Sequence, residues 1–389
     1  MTPYLLMDLD LVRRAYRRLR AVLPSAEVYY AVKANPDRRV VAALVAAGAG
    51  FDVASPAEVA LCLQAGAQPG SMSYGATVKK RSDVATAWQA GVRRFAVDAL
   101  ADLENIAAEA PGAQVYCRLY VADDGACTPF GRKFGCTPSE AAFLLRRAGE
   151  LGLTPYGVSF HVGSQQLDPA AYARGVAAAA TVAGHGVPVP VLNLGGGFPV
   201  AYASPVPPLE AYAAAIHQAM ATHFAHDPPA LVVEPGRVLV AEAGTIATEV
   251  VLVAWRDGRR WVYLDTGRYG GLAETENEAI AYRIVSARGG RYGPVVLAGP
   301  TCDGDDVLYQ HTPYHLPLEL RAGDRVAILA AGAYTASYAS VAFNGFAPLP
   351  TYCIGDAAPP AEAVWPSEDV EFPHSRHDDV TSSPNGGLG

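Results

Sequence analysis

The chain has 389 residues, 51% of them hydrophobic, which is enough for a sizeable core and for more than one domain. Its 38 acidic residues outnumber its 30 Lys and Arg, and the net charge of -8 argues against a nucleic-acid-binding protein. The six cysteines show no CxxC pair and no Cys/His pattern, so they predict neither a metal site nor a disulfide framework. No apolar run reaches the ~20 residues of a membrane span, and the N-terminus lacks a leader pattern; we expect a cytoplasmic protein.

Between about residues 27 and 236, short β-branched or aromatic segments alternate with Ala- and Leu-rich helical segments, the pattern of parallel βαβ units. The predicted strands are 29–33, 51–55, 71–76, 94–98, 115–121, 157–163, 191–197 and 231–236. Eight alternations within roughly 210 residues favour a (β/α)8 barrel over an open doubly wound sheet. No GxGxxG segment opens a helix after the first strand, which weakens a dinucleotide-binding interpretation.

After about residue 240 the pattern changes to β-hairpins. The segment VVLVAWRDGRRWVYLDTG predicts two strands joined by an Asp257-Gly258 turn, and later strand-like segments extend a mainly antiparallel β domain. The last residues are rich in Pro, Ser and acids and too poor in apolar residues to fold alone. We therefore predict four parts: an N-terminal segment that joins the β domain (1–26), the barrel (27–240), the β domain (241–355) and a disordered tail (356–389).

Polar residues or glycines follow six of the eight predicted barrel strands, at the ends where such barrels carry their active sites. They are Lys33, Asp52, Arg118, His161, Gly195–Gly197 and Glu234. Lys33 follows a strand expected to be buried on both faces, where desolvation favours the neutral amine and makes it a candidate nucleophile or Schiff-base former. A salt-bridged lysine whose stem covers apolar surface is the alternative.

Two further segments suit an anionic aromatic ligand. The GGGF segment at 195–198 lets backbone N–H groups approach an anion, and EPGR at 234–237 brings a carboxylate and a guanidinium to another strand end. Each alone is explained by an ordinary turn or a local ion pair. Together with Lys33 they suit pyridoxal phosphate: lysine bonds the aldehyde, glycines and arginine hold the phosphate, and an acid binds the ring nitrogen. A carboxylate there keeps the ring nitrogen protonated, which gives the electron sink that a decarboxylase needs.

Eight motifs then follow one another between about Tyr29 and Cys353. They are YYAVKANP, FDVAS, GVSFHVGS, LNLGGGFP, EPGR, GPTCDGDD, GAYT and FNGF. In this order they resemble the eukaryotic-type ornithine decarboxylases, within the pyridoxal-phosphate enzymes of the alanine racemase fold (fold type III), a family that includes the lysine and diaminopimelate decarboxylases. The resemblance implies a barrel plus a β domain, and a head-to-tail homodimer whose active sites are shared between subunits.

The resemblance also implies roles for the barrel residues. Lys33 would carry the cofactor covalently, His161 would stack on the pyridine face, and Glu234 would bind the ring nitrogen. Asp52 and Arg118 would support the cofactor beside the lysine and the ring. The residues implied to hold the phosphate are Ser164, Gly196, Gly197, Gly236, Arg237 and Tyr334.

Other roles would be supplied by the partner subunit. Cys302 would protonate Cα after CO₂ leaves, Asp303 would receive the distal amine of the substrate, and Phe343 would add an apolar wall. A buried small residue is the ordinary explanation for Cys302, but three aspartates within four residues and the preceding Gly-Pro indicate an exposed loop. Lys133 would lie on a loop that reaches Asp306 across the dimer.

The CDGDD loop favours a substrate with a cationic distal group. Diaminopimelate decarboxylases carry Cys-Glu-Ser here and use an arginine, and alanine racemases place an arginine rather than an acid at the ring nitrogen. The leading prediction is therefore decarboxylation of L-ornithine and/or L-lysine to putrescine or cadaverine.

One departure keeps alternatives open. Glu278 stands where ornithine decarboxylases place a substrate-binding aspartate, and GGLAETxxEAI is similar to bacterial ornithine/lysine decarboxylases and to secondary-metabolite decarboxylases. Arginine, diaminopimelate, or a modified amino acid presented by a carrier protein is thus the runner-up substrate. A catalytically inactive binder resembling antizyme inhibitors is a further alternative, disfavoured because the complete cofactor set is present.

Overall fold

The computed structural model describes residues 1–355, so the predicted tail at 356–389 lies outside the described residues. Strands and helices are numbered in chain order. The strands are β1 (Tyr4–Asp8), β2 (Ala26–Ala31), β3 (Gly50–Val53), β4 (Met72–Tyr74), β5 (Arg94–Val97), β6 (Gln114–Leu119), β7 (Ala126–Thr128), β8 (Thr154–Phe160), β9 (Ser164–Gln166), β10 (Val191–Asn193), β11 (Ala230–Val233), β12 (Gly244–Arg256), β13 (Arg259–Leu264), β14 (Arg283–Ser286), β15 (Tyr292–Ala298), β16 (Val307–Pro317), β17 (Arg325–Leu329) and β18 (Thr351–Ile354). The α-helices are α1 (Leu9–Val22), α2 (Arg38–Ala46), α3 (Pro56–Gln64), α4 (Arg81–Gln89), α5 (Leu100–Glu109), α6 (Pro138–Glu150), α7 (Ala170–Gly184), α8 (Leu209–His223) and α9 (Arg237–Val240).

Eight parallel strands close into a barrel in the order β10-β11-β2-β3-β4-β5-β6-β8. The predicted (β/α)8 barrel is confirmed, and each of its eight strands overlaps a predicted one. The strands are short and mostly apolar because parallel strands covered by helices are buried on both faces. All three residues of β4 and of β10, for example, are buried.

Alternation along the strands separates the barrel interior from the helix-facing side. Arg94 of β5 reaches across the interior to the rings of Tyr29 and Tyr156, 5.8 and 5.4 Å from its Cζ. The next residue in β2, Tyr30, is fully buried and packs against the Phe51 ring at 6.5 Å. Residues that lie two positions beyond an interior residue therefore also point inward, which brings several strand-end side chains to one mouth of the barrel.

Local capping fixes where the surrounding helices begin. Thr137 and Glu140 form a reciprocal capping box at α6, with Pro138 in the first turn. Ser55 accepts from the Glu58 N–H at 3.2 Å and starts α3 directly after β3. Such caps hold the strand–helix connections short, so that the polar residues at the strand ends are carried by well-defined turns.

A second sheet follows the order β14-β17-β12-β13-β15-β16, and β1 lies between β12 and β18. Its pairs are antiparallel except β13 with β15 and β1 with β18, so the predicted mainly antiparallel β domain is confirmed. The β12–β13 hairpin turns at Asp257 and Gly258, with φ of 49° and 73°. Strand β1 belongs to this sheet, while the exact domain limits stay a prediction. Within residues 1–355, no helix is both long and apolar enough to cross a membrane.

Candidate active site

A cavity of about 350 Å³ opens at the C-terminal ends of the barrel strands. Five of the predicted site residues line it together: Lys33, Asp52, Arg118, His161 and Glu234. Its aromatic lining comes from Tyr116, Phe130, Phe134 and Phe160. The expectation that polar residues after separate strands converge on one site is therefore met for these five.

Lys33 lies on a 3-10 turn, Val32–Ala34, that begins as β2 ends at Ala31. Its side chain is exposed towards the cavity, so the expectation of a desolvated lysine is wrong. The physical reason is that the strand stops two residues earlier than its apolar pattern indicates. The turn is braced by the segment after β17, because Ser337 donates to the Lys33 carbonyl at 2.7 Å and Asn35 donates to Gly332 O at 2.9 Å.

Glu234 follows β11, and hydrogen bonds from the barrel interior orient its carboxylate in the cavity. Asn193 donates to its Oε1 at 2.5 Å and the Tyr116 hydroxyl at 3.5 Å, while its own N–H donates to Gly195 O at 2.8 Å. Burial raises the pKa of Glu234, and the Asn193 hydrogen bond together with the charges of Lys33 and Arg118 opposes that rise. The net effect is a pKa above the ordinary glutamate value, with the hydrogen bond and the two cations limiting the rise.

Asp52 of β3 is the second carboxylate of the cavity. Its Oδ1 is buried and has no hydrogen-bond partner among residues 1–355. Burial, followed by the charge of Glu234, raises the pKa of Asp52 well above its ordinary value, and the Lys33 ammonium lowers it. A Cβ at Gly75 would lie 2.1 Å from this oxygen, so only glycine fits opposite it.

His161 presents a neutral ring to the cavity. Desolvation, followed by the charges of Lys33 and Arg118, lowers the pKa of His161 well below its ordinary value. Gly163 N–H donates to Nδ1 at 3.1 Å, which leaves the proton of the neutral ring on Nε2. The ring lies 4.7 Å from that of Phe130. A flat, uncharged imidazole of this kind suits stacking on an aromatic ligand.

Of the six residues predicted to hold a phosphate, Tyr334 and Gly236 lie beside the lysine turn, and Gly196 and Gly197 lie near His161 and Gly163. Arg237 Nη2 donates to Ser164 Oγ at 2.8 Å, and its Cζ lies 4.9 Å from the Tyr334 ring. Tyr334 N–H donates to Ala34 O at 2.7 Å, next to Lys33. We call the set Ser164, Gly196, Gly197, Gly236, Arg237 and Tyr334 the phosphate cradle.

Two features of the cradle fit an anionic group. The Nε of Arg237 is buried without a partner among the described residues, so one charged N–H donor is left to bind something else. A Cβ at Gly236 would lie 3.2 Å from the Tyr334 hydroxyl, and one at Gly196 2.5 Å from Glu234 O. Glycine therefore keeps the backbone accessible here, as phosphate binding requires.

Three residues of the site were missed by sequence reasoning. Asn193 and Tyr116 bind Glu234 from inside the barrel, and only strict alternation along their strands could have indicated this. Glu274 pairs with both terminal nitrogens of Arg237, at 2.6 and 2.8 Å. Glu274 lies 37 residues beyond Arg237, between β13 and β14. No motif around it indicates that it pairs with this arginine.

The residues predicted to act from a partner lie elsewhere. Cys302 is exposed and its N–H donates to Asn344 Oδ1 at 2.8 Å; Asp303 accepts from the Asp305 N–H at 2.8 Å. The Phe343 ring lies 4.8 Å from that of Tyr269. None of these lines the Lys33 cavity. We call the set Cys302, Asp303, Tyr269, Phe343 and Asn344 the Cys302 surface.

Glu278 is engaged with the backbone. Its carboxylate accepts from the N–H groups of Gln310, His311 and Thr312 at 2.7, 2.7 and 2.9 Å. Burial alone would raise the pKa of Glu278, but these donors lower it to about 2. Both oxygens are thereby occupied, which argues against the predicted contact with a substrate and for a role in anchoring β16.

Asp306 is likewise an internal anchor. It is 2% exposed and accepts from the Arg268 N–H at 2.8 Å and from the N–H and hydroxyl of Thr301 at 3.0 and 2.7 Å. Asp306 is thus held within its own chain, and the contact with Lys133 of another subunit stays a prediction. Lys133 lines the Lys33 cavity of its own chain.

The pyridoxal binding domain model of the pyridoxal-dependent decarboxylases matches residues 9–241. The chain belongs to the pyridoxal-dependent decarboxylases. This decarboxylase is similar to the lysine/ornithine decarboxylase of Selenomonas ruminantium, with 34% identity over 375 residues that cover 95% of this chain and 94% of that protein. Family membership confirms the predicted pyridoxal phosphate cofactor and fold type III.

Solved structures of other decarboxylases share the fold. The lysine/ornithine decarboxylase of Vibrio vulnificus complexed with cadaverine has a TM-score of 0.81 and 34% identity, covering 91% of this chain and 94% of that one. The arginine decarboxylase of Paramecium bursaria Chlorella virus bound to agmatine has a TM-score of 0.83 and 28% identity, covering 91% and 96%. The likeness extends through both the barrel and the second sheet of this decarboxylase.

Proposed function

We propose that this decarboxylase converts L-ornithine and/or L-lysine to putrescine or cadaverine and CO₂. The observation that carries the proposal is the meeting of Lys33, Glu234 and His161 in one cavity, with the phosphate cradle next to the lysine turn. The aspartate-rich loop at Cys302 supports a substrate whose distal group is cationic. The similarity to lysine/ornithine decarboxylases supports the same substrates.

The barrel residues bind and orient the cofactor. Pyridoxal phosphate, when bound, supplies the sink for the electron pair that stays on Cα as CO₂ leaves. Lys33 would hold the cofactor covalently, since its side chain lines the cavity. Glu234, oriented by Asn193 and Tyr116, would bind the ring nitrogen and stabilise its protonated form. His161, which is neutral, would stack on one face of the ring without adding charge.

Asp52 and Arg118 complete the charge balance of the cavity. Asp52 has an unpartnered oxygen and a raised pKa beside Lys33, so it can take up or return a proton when the lysine amine is released. Arg118 lies 4.7 Å from the Phe134 ring and stabilises the ionised Glu234.

The Cys302 surface supplies the remaining groups from a second copy of the chain. We assign proton donation to Cα to the Cys302 thiol, binding of the distal ammonium to Asp303, and an apolar wall to Phe343. Support comes from the exposure of Cys302 and Phe343, from the partial exposure of Asp303, and from the absence of all three from the cavity of their own chain. This makes the functional unit a head-to-tail homodimer.

Arginine is the second candidate substrate, favoured by the fold shared with the viral arginine decarboxylase. Its guanidinium is also cationic, so Asp303 could pair with it. An inactive binding protein is disfavoured because the cofactor residues are complete and geometrically assembled.

The test is product analysis. Full-length protein loaded with pyridoxal phosphate is incubated separately with ornithine, lysine, arginine, diaminopimelate and glutamate, and CO₂ and amines are measured. We expect putrescine and/or cadaverine at the highest kcat/KM. Agmatine as the dominant product would shift the assignment to arginine, and CO₂ release from none of them would overturn it.

A further inference from the structure

Arg237 of the phosphate cradle forms a buried ion pair with Glu274. Arg237 and Glu274 have side chains only 3% and 8% exposed. Both carboxylate oxygens are used, Oε1 by Nη2 at 2.6 Å and Oε2 by Nη1 at 2.8 Å. Arg237 opens α9 after the barrel strand β11, whereas Glu274 lies on the 3-10 turn Ala273–Glu278 between β13 and β14. Glu274, from a segment between two strands of the second sheet, thus binds Arg237 of the barrel.

The hydrogen bonds of the guanidinium can be counted. Arginine carries five N–H donors, four on the terminal nitrogens and one on Nε. Nη1 also donates to the Tyr202 hydroxyl at 2.8 Å, and Nη2 to Ser164 Oγ at 2.8 Å. The four terminal donors are therefore all engaged, and Nε–H is the one left without a partner among the described residues. Because Ser164 accepts from the arginine, its own O–H also stays free to donate.

A carboxylate near a phosphate site has two opposing effects. Its negative charge repels the phosphate, while its two hydrogen bonds to the guanidinium hold the flexible Arg237 side chain in a single orientation. Ordering a long side chain before binding removes part of the entropy lost on binding. Three observations favour orientation as the larger effect: the bidentate geometry, the near-complete burial, and the use of every terminal donor of Arg237.

We propose that Glu274 is a positioning residue of the phosphate cradle: it fixes the Arg237 guanidinium so that Nε–H and the Ser164 hydroxyl are the donors presented to the cofactor phosphate. This rests on the cradle assigned in the proposed function. Glu274 touches neither the cofactor nor the substrate and acts through Arg237. Its loss should weaken binding of the phosphate group and leave binding of the ring unchanged.

The experiment uses full-length apoprotein carrying Glu274→Gln. Glutamine keeps the size but offers one acceptor oxygen, and its amide N–H₂ would face an arginine nitrogen that also donates. Pyridoxal 5′-phosphate and pyridoxal are titrated separately, with binding followed by protein fluorescence and absorbance. We expect roughly 10- to 100-fold weaker binding of the phosphorylated ligand, as for loss of a charged hydrogen bond, and a change below about twofold for pyridoxal.

The matched control is Glu276→Gln in the same turn. Glu276 is 61% exposed and pairs with Arg268 at 3.4 Å, so its removal should alter neither titration. Should Glu274→Gln fold poorly, Tyr202→Phe removes one acceptor from Nη1 and should lower phosphate-selective affinity in the same direction by a smaller factor.

The outcomes separate the inference from the proposed function. Equal weakening of both ligands, or unchanged or tighter binding of pyridoxal 5′-phosphate by Glu274→Gln, overturns the positioning role. If the wild-type protein bound the two ligands equally well, the assignment of the phosphate cradle itself would be overturned. A phosphate preference in the wild type that is lost in Glu274→Gln and kept in Glu276→Gln supports both.

Discussion

The Lys33 cavity and the Cys302 surface differ in the secondary structure that carries their functional groups. The cavity is made from strand ends and short turns, and its charged groups are held by neighbours such as Asn193 and Tyr116. The Cys302 surface is made from loops of the second sheet, where Cys302 is exposed and Phe343 is 37% exposed. Val341 and Phe346 beside it are 80% and 45% exposed.

If the proposed homodimer forms, this difference separates the groups that one folded chain arranges from the groups that the second copy would add. The proposed cofactor residues all belong to one chain, most of them to the barrel and Tyr334 to the segment after β17. A thiol, a carboxylate and exposed apolar side chains together on a loop surface are typical of a patch that another protein covers. The comparison therefore predicts that variants on the two regions fail in different ways.

The largest effect is expected for Lys33→Ala, which removes the covalent link to the cofactor. Turnover should fall at least about 1,000-fold, or ~4 kcal/mol in barrier, and the near-visible absorption of the linked cofactor should disappear. Absorption spectra and CO₂ release are the measurements. Lys80→Ala, at an exposed lysine outside the cavity, is the control. An unchanged spectrum would remove Lys33 from its role.

Cys302→Ala should separate decarboxylation from protonation at Cα. Loss of a positioned proton donor should slow formation of the amine about 100-fold, while CO₂ release persists and part of the product is misdirected. The ratio of amine to CO₂ is the measurement, and Cys353→Ala in β18 is the control. Wild-type product ratios for Cys302→Ala would count against the assignment.

Asp303→Ala should act on substrate binding alone. Removal of a charged partner for the distal ammonium is expected to raise KM for ornithine and lysine roughly 10- to 100-fold. Affinity for pyridoxal phosphate should stay unchanged, because Asp303 lies outside the cavity of its own chain. Asp305→Ala, an exposed neighbour in the same loop, is the control. Equal effects of both variants would indicate general disruption of the loop.

The smallest effect is expected for Glu278→Gln, which should lower stability and leave KM unaltered. Three backbone donors hold the pKa of Glu278 at about 2, so its ionised form contributes stability above the ordinary pKa of about 4.3. That contribution, about 1 kcal/mol for a partly exposed group, is lost as pH falls through that window towards 2. Denaturant unfolding at pH 7, 4 and 3 measures it. A raised KM without loss of stability would restore a substrate contact.

The barrel strands could be predicted because buried parallel strands are continuous apolar runs that alternate with capped helices. The position of Lys33 could not, since no residue type marks the end of β2 at Ala31. The motif alignment placed Glu278 in the substrate site, but φ of 52° and 56° at Asn277 and Glu278 brings the carboxylate to β16. Such long-range contacts, like that of Glu274, depend on the packing of distant segments.

Mixing Lys33→Ala and Cys302→Ala subunits tests the central claim most directly. Each mixed dimer would contain one intact site, formed by Lys33 of one subunit and Cys302 of the other. Random assortment makes half of the dimers mixed, so we predict recovery of about a quarter of wild-type amine formation from two nearly inactive parents. Activity no greater than that of the separate parents would contradict a site shared between two copies of the chain.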